Sequence, residues 1–172
     1  MTDTVAVLIG TGSIGVAVAR RAAIGHTLLL ADYNQAQLAT VADQLQGEGY
    51  DVETRVVDVS DRASVAALAE AAAALGDVVR VIHAAGVSPT QAPPERIVHV
   101  DLFGTAYVLD AFGSVIAEGG AGVVIASMAG HMGMVVVYKI DRLTRSHADC
   151  AKLVDRLDAA SCSFVSVTQA FN

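Results

Sequence analysis

The 172-residue sequence has no tryptophan, three prolines and two cysteines. Cys150 and Cys162 stand apart, without a Cys-x-x-Cys pair or a Cys/His cluster, so neither a disulfide scaffold nor a zinc ribbon is encoded, and two reduced thiols are expected. His26, His99, His131 and His147 lack helical i, i+4 pairing and a convergent carboxylate, and no metal site is expected. Apolar runs such as 27–31 and 133–138 fall far short of the ~20 residues that cross a bilayer. Basic charge is scarce as well: eleven Lys and Arg face eighteen Asp and Glu, a net charge of -7. That balance counts against capture of DNA by the surface as a whole. Residues 1–5, Met-Thr-Asp-Thr-Val, carry neither the basic start nor the cleavage site of a signal peptide, so the expected location is cytoplasmic.

What is present is apolar residue, 53% of the chain against 17% charged, with a mean hydropathy of +0.51. A chain of this length buries roughly two-thirds of its unfolded surface, enough for a real core. Strand-length apolar runs alternate with helix-patterned stretches. Strands are expected at 5–10, 27–31, 52–57, 78–83 and 122–127. Helices are expected at 13–24, 34–46, 60–75 and 95–117, with Asn34 as an N-cap, Gly47 just past the second helix and Gly76 stopping the third. Pro89, Pro93 and Pro94 mark a loop between the fourth strand and the fourth helix. Repeated strand-helix alternation implies a Rossmann-like, doubly wound parallel α/β sheet with right-handed crossovers.

The rhythm breaks after Ser127, where a few residues separate the fifth strand from another strand-like run at 134–139. A parallel crossover needs a dozen residues or more, so the doubly wound pattern is incomplete at its C-terminal side. The expected division is a dinucleotide-binding domain at 1–132 and a tail at 133–172 packed on the same sheet. In that tail a helix at 149–160 and a strand at 163–168 act as surrogates beside the fifth strand.

Gly10-Thr11-Gly12-Ser13-Ile14-Gly15 follows the first strand and opens a helix, the context of a dinucleotide fingerprint. Its glycines permit a tight turn, backbone approach to pyrophosphate and close helix-strand contact, while free N–H groups at the helix start face the phosphate charge. Asp32 ends the second strand, where a carboxylate accepts hydrogen bonds from the adenosine ribose. No Arg or Lys is present in the following Tyr33-Asn34-Gln35 to hold a 2′-phosphate, so NAD is favoured over NADP.

These features and several others together resemble the short-chain dehydrogenase/reductase family over about residues 5–130. Asp58-Val59 matches the pair that lies beside the adenine in that family. His83-Ala84-Ala85-Gly86 resembles the family's Asn-Asn-Ala-Gly turn, and residues 98–105 resemble its fourth helix, with Asp101 where an active-site Asn is usual. Residues 125–130, Ile-Ala-Ser-Met-Ala-Gly, place Ser127 at the catalytic serine. The resemblance implies a cofactor site of Gly10, Gly12, Ser13, Ile14, Gly15, Asp32, Tyr33, Asp58, Val59, Ala84, Ala85 and Gly86, a small-molecule substrate and a homo-oligomer. Two departures stand out: the glycine loop is one residue short of the family's usual Thr-Gly-x-x-x-Gly-x-Gly, and Asp101 replaces Asn.

The family's proton chemistry uses Tyr-x-x-x-Lys, and these 172 residues contain no such pair: Tyr138 is followed at once by Lys139, and position 142 is Arg. Residues 135–172, with Asp141-Arg142-Leu143-Thr144-Arg145, instead resemble the serine site-specific recombinases, whose arginines contact the scissile phosphate. The recombinase Tyr-x-Arg-x-Ser segment is absent from the sequence. The expected function is that of an NAD-binding, dehydrogenase-like oxidoreductase with impaired catalysis. A recombinase-like remnant contacting DNA phosphates and a non-functional fusion stand as alternatives.

Overall fold

The computed structural model describes residues 3–126 and the backbone of 163–166. The elements run β1 (Thr4–Ile9), α1 (Ser13–Ala22), β2 (Thr27–Asp32), α2 (Gln35–Gly47), β3 (Val52–Val56), α3 (Arg62–Leu75) and β4 (Asp77–His83). There follow α4 (Pro94–Ile97), a π-helical turn (Val98–Phe103), α5 (Gly104–Phe112), β5 (Ile116–Val124) and β6 (Ser163–Ser166). All strand pairs are parallel, in the order β3-β2-β1-β4-β5-β6. This is the doubly wound Rossmann order.

The sheet is covered on both faces because β1 reads as unbroken apolar sequence. Val5, Val7 and Ile9 point to one side and pack with Val65, Leu68 and Ala72 of α3 and Val108 and Phe112 of α5. Ala6 and Leu8 point to the other, against Val16 and Ala19 of α1 and Leu38, Val41 and Leu45 of α2. Strand β3, at the edge, carries exposed Glu53 and Arg55, which discourage pairing with another chain.

Local chemistry sets the helix ends. The Asn34 side chain accepts from the N–H groups of Ala36 and Gln37, and Asp61 caps α3 in the same way through Ala63 and Ser64. Gly47 lies inside α2, a correction to its expected place past the end. Gly49 instead takes the left-handed backbone, with φ +94°, and its N–H reaches the Gln46 carbonyl.

The expected helix over 95–117 is also corrected. Helical structure runs from Pro94 to Phe112 but widens into the π-helical turn at Val98–Phe103, and it stops where Ser114 Oγ donates to the Ala111 carbonyl. Residues 116–117 belong to β5, which starts earlier than expected and ends at Val124. Near Gly119 (φ +75°) the register against β4 slips, from Val78 opposite Ile116 to Arg80 opposite Ala121. The expected strand at 163–168 is found over Ser163–Ser166, beside β5. The expected run at 134–139 and helix at 149–160 lie outside the described residues.

Candidate functional site

Strand order reverses between β1 and β4, and doubly wound sheets hold ligands at the carboxyl ends of the strands at such a switch point. A cavity of about 300 Å³ lies there. Gly10 and Gly12 line it from the turn after β1, and Asp32 and Tyr33 from the end of β2. Val57 and Val59 contribute after β3, and Ala84, Ala85 and Gly86 after β4.

The three glycines have three different physical roles. Gly10 sits at φ +95°, and a Cβ there would collide with the backbone of Ala84 and Ala85. Gly15 is buried in α1, where a Cβ would fall 2.5 Å from the Gly10 carbonyl oxygen and 3.0 Å from the Ala84 Cβ. Gly12 has an ordinary φ of -69° and nothing within 4 Å of an added Cβ, so it opens onto free space at the N-cap of α1. Ser13 and Ile14 begin that helix, with Ile14 exposed, and line a neighbouring groove with Ala17, Val18 and Arg21. The first turn of a helix leaves its N–H groups without helical partners, which makes this end attractive to an anion.

Asp32 is fixed before any ligand arrives. Its Oδ2 accepts from the Thr11 N–H at 2.6 Å and the Thr11 hydroxyl at 2.7 Å, and its Oδ1 accepts from the Asn34 N–H at 2.9 Å. Two carboxylate oxygens offer about four lone-pair positions, so Oδ1 keeps one for a hydroxyl donor. Gln37 donates from Nε2 to the Thr11 carbonyl and ties α2 to the glycine loop. Nothing in the fingerprint marked Thr11 or Gln37 for this work: one is a variable position, the other a residue on a neighbouring helix.

Asp58 follows β3, between the cavity-lining Val57 and Val59. Its Oδ1 accepts from the Ser60 N–H at 2.9 Å and the Ser60 hydroxyl at 2.6 Å. Arg96 donates from Nη1 to Ser60 Oγ at 2.7 Å and from Nη2 to the Asp58 oxygens at 3.4 and 3.3 Å. Partial burial pushes the Asp58 carboxyl up, but the Ser60 and Arg96 donors outweigh it and hold the group below its ordinary value. The Arg96 guanidinium carbon also lies 5.8 Å from the centre of the Tyr33 ring. Sequence reasoning missed Arg96 because no local pattern links it to Tyr33 or Asp58.

His83, Thr105 and Asp101 form a chain beneath the Ala84-Ala85-Gly86 turn. Thr105 Oγ1 donates its single proton to the Asp101 carbonyl at 2.6 Å, so it accepts from His83 Nε2 at 3.1 Å. The His83 Nδ1 is buried with no partner among the described residues. Burial lowers this imidazole to about 4 and keeps it neutral. The Asp101 carboxylate accepts from the Val87 N–H at 2.9 Å; burial raises its pKa, and the Val87 bond offsets this only in part. Ser127 lies outside the described residues. Among the described residues no three His, Cys, Asp or Glu side chains converge as metal ligands, and no helix is long and apolar enough to cross a membrane.

Fold and site together define a Rossmann-type domain with a nucleotide-sized crevice at its switch point. The short chain dehydrogenase family model matches residues 4–139, and the chain belongs to that family of oxidoreductases. A second model, the Resolvase N-terminal domain, matches residues 119–172 and overlaps the first across the end of β5. A short-chain dehydrogenase/reductase of Alternaria brassicicola, bsc3, is 39% identical over 131 residues, covering 76% of this chain and 48% of its own length. A short-chain dehydrogenase/reductase from Burkholderia phymatum, solved in complex with NAD, superposes with a TM-score of 0.69 at 27% identity, over 94% of this chain and 64% of its own. A similar enzyme from Mycobacterium ulcerans gives a TM-score of 0.73 at 24% identity, over 93% of this chain and 64% of its own, a likeness of fold. The chain thus spans about half the length of the first curated relatives it matches.

Proposed function

We propose that this chain binds a nicotinamide dinucleotide at the switch-point crevice, NAD in preference to NADP, as the cofactor-binding part of a dehydrogenase whose proton-transfer machinery is impaired. The observation that carries this reading is the Asp32 carboxylate, oriented by Thr11 and Asn34 with one acceptor position left over, at the mouth of a glycine-lined cavity. The residues fit the cofactor: Gly12 leaves open space at the start of α1, where the N–H groups of Ser13, Ile14 and Gly15 would meet the charge of a pyrophosphate. Asp32 Oδ1 would accept a ribose hydroxyl. A 2′-phosphate would meet that carboxylate instead, and like charges at this distance repel. Val57 and Val59 line the cavity and would offer the adenine an apolar wall.

When bound, the nicotinamide supplies hydride transfer. The chain's own part in proton transfer is weaker. By family resemblance Ser127 hydrogen-bonds a substrate carbonyl, but a serine hydroxyl without the Tyr-x-x-x-Lys pair is a poor proton donor at neutral pH. Asp101, in the place of the family's Asn, holds the Val87 backbone in position beside the cavity.

Titration of NAD into the wild type and Asp32→Ala tests the reading. Saturable binding by the wild type, weakened about tenfold or more in Asp32→Ala with a narrowed preference over NADP, is expected. A wild type that does not bind NAD contradicts it.

A further inference from the structure

The β1–β2 ladder sets Ile9 opposite Ala31, and the Gly10 N–H donates to the Ala31 carbonyl at 2.8 Å. The next donor along, the Thr11 N–H, takes the Asp32 carboxylate as its acceptor. Thr11 differs from its neighbours in where it faces: Gly10 and Gly12 line the cavity, whereas Thr11 is buried, 1% exposed. A buried N–H and a buried hydroxyl both need acceptors, and a single oxygen, Asp32 Oδ2, serves the two at 2.6 and 2.7 Å. The Thr11 carbonyl accepts from Gln37 Nε2 at 3.2 Å, so the residue is held from β2 and from α2 at once. Each carboxylate oxygen has about two lone-pair positions. Thr11 occupies both on Oδ2, and the Asn34 N–H occupies one on Oδ1 at 2.9 Å. A ribose brings two neighbouring hydroxyls to a carboxylate with one acceptor position left.

We infer that Thr11 is a positioning residue that turns Asp32 so that the site reads one hydroxyl of the adenosine ribose and not the vicinal pair. This rests on the nucleotide-binding reading above and adds to it the residue that sets how the ribose is gripped. Turning the carboxylate to present both oxygens to the diol would gain one ribose hydrogen bond. The same turn would strand two buried donors of Thr11, and an unsatisfied buried donor costs at least as much as one such bond returns. The single-hydroxyl grip is therefore the favoured one. Valine at position 11 keeps the shape and the N–H but deletes the hydroxyl, which releases one of the two holds on Oδ2; serine keeps both donors.

The experiment titrates NAD, and NAD lacking either the 2′- or the 3′-hydroxyl of the adenosine ribose, into the wild type, Thr11→Val and Thr11→Ser, with the ligand-free unfolding temperature of each as a check on folding. In the wild type, one deoxy analogue is expected to bind about tenfold or more weaker than NAD, the loss of a hydrogen bond to a charged group, and the other to stay within about threefold. In Thr11→Val the gap between the two analogues is expected to close to about threefold or less, because the loosened carboxylate admits either hydroxyl, while Thr11→Ser keeps the wild-type gap. A residue with only a structural role would alter the unfolding temperature and leave that gap unchanged. Both analogues weakened about tenfold or more in the wild type overturn the single-hydroxyl grip and leave the nucleotide reading intact. That comparison needs no variant, so it decides the matter even where Thr11→Val does not fold. A folded Thr11→Val that keeps the wild-type gap, or a Thr11→Ser that loses it, overturns the role of Thr11. A wild type that binds no NAD overturns the inference and the reading beneath it together.

Discussion

His83 is held as a neutral imidazole, with an ordinary value of 6.5 lowered to about 4 by burial. Between those two values the unfolded chain binds a proton that the folded chain refuses, so stability falls as pH drops through that window and is fully present above it. The loss approaches about 3 kcal/mol at its lower end. His83→Asn, which installs the residue usual in the family turn, is expected to flatten this dependence in urea titrations between pH 7 and 4.5. Asp58, held low, contributes stability that is lost only at more acidic pH, so it does not mimic the His83 signal. The glycines give a second contrast. Gly10→Ala meets both a left-handed φ and a backbone collision, and a loss of more than about 2 kcal/mol is expected. Gly12→Ala meets open space, so it costs about 1 kcal/mol or less as a poorer N-cap, yet it narrows the pyrophosphate path and weakens NAD. Glycine spacing and Asp32 were legible because a fingerprint is local. Thr11 and Arg96 were not: Arg96, on α4, meets Asp58 across 38 positions of sequence, a contact that only the tertiary fold creates.

At the scale of elements, the alternation of apolar runs revealed β1 to β4 and α1 to α3 because each run closes at a capping residue or glycine. The stretch 95–117 misled because Val115, Ile116 and Ala117 continue the apolar pattern of the helix, while the stop at Phe112 depends on Gly113 and the Ser114 hydroxyl. The π-helical turn at Val98–Phe103 carries no signal in residue periodicity; the Thr105 hydroxyl, which also meets His83, donates to its Asp101 carbonyl. Strand β6 pairs with β5 and so covers what would otherwise be an open sheet edge. Deletion of residues 135–172 is therefore expected to lower the unfolding temperature and broaden the transition, with soluble yield falling as well. An unchanged transition and unchanged NAD affinity would make the tail a passenger.

For the whole molecule, a dehydrogenase-type half and a resolvase-type segment meet across β5, since the two family matches overlap from residue 119 to 139. The sheet order survives that junction. Binding is expected to survive it better than chemistry: loss of a positioned proton donor removes about 10² to 10⁴ in rate, so turnover on a panel of small alcohols and ketones should be near background. Tyr138→Phe should match the parent, and a parent rate abolished by that change would restore Tyr138 as the acid. On the proposed reading, the crevice at the end of β1 takes NAD through Asp32. Calorimetric titration of the unmodified protein with NAD and NADP side by side tests it most directly: saturable NAD binding tighter than NADP is the predicted result, and equal or tighter NADP binding, or no heat with either, would contradict it.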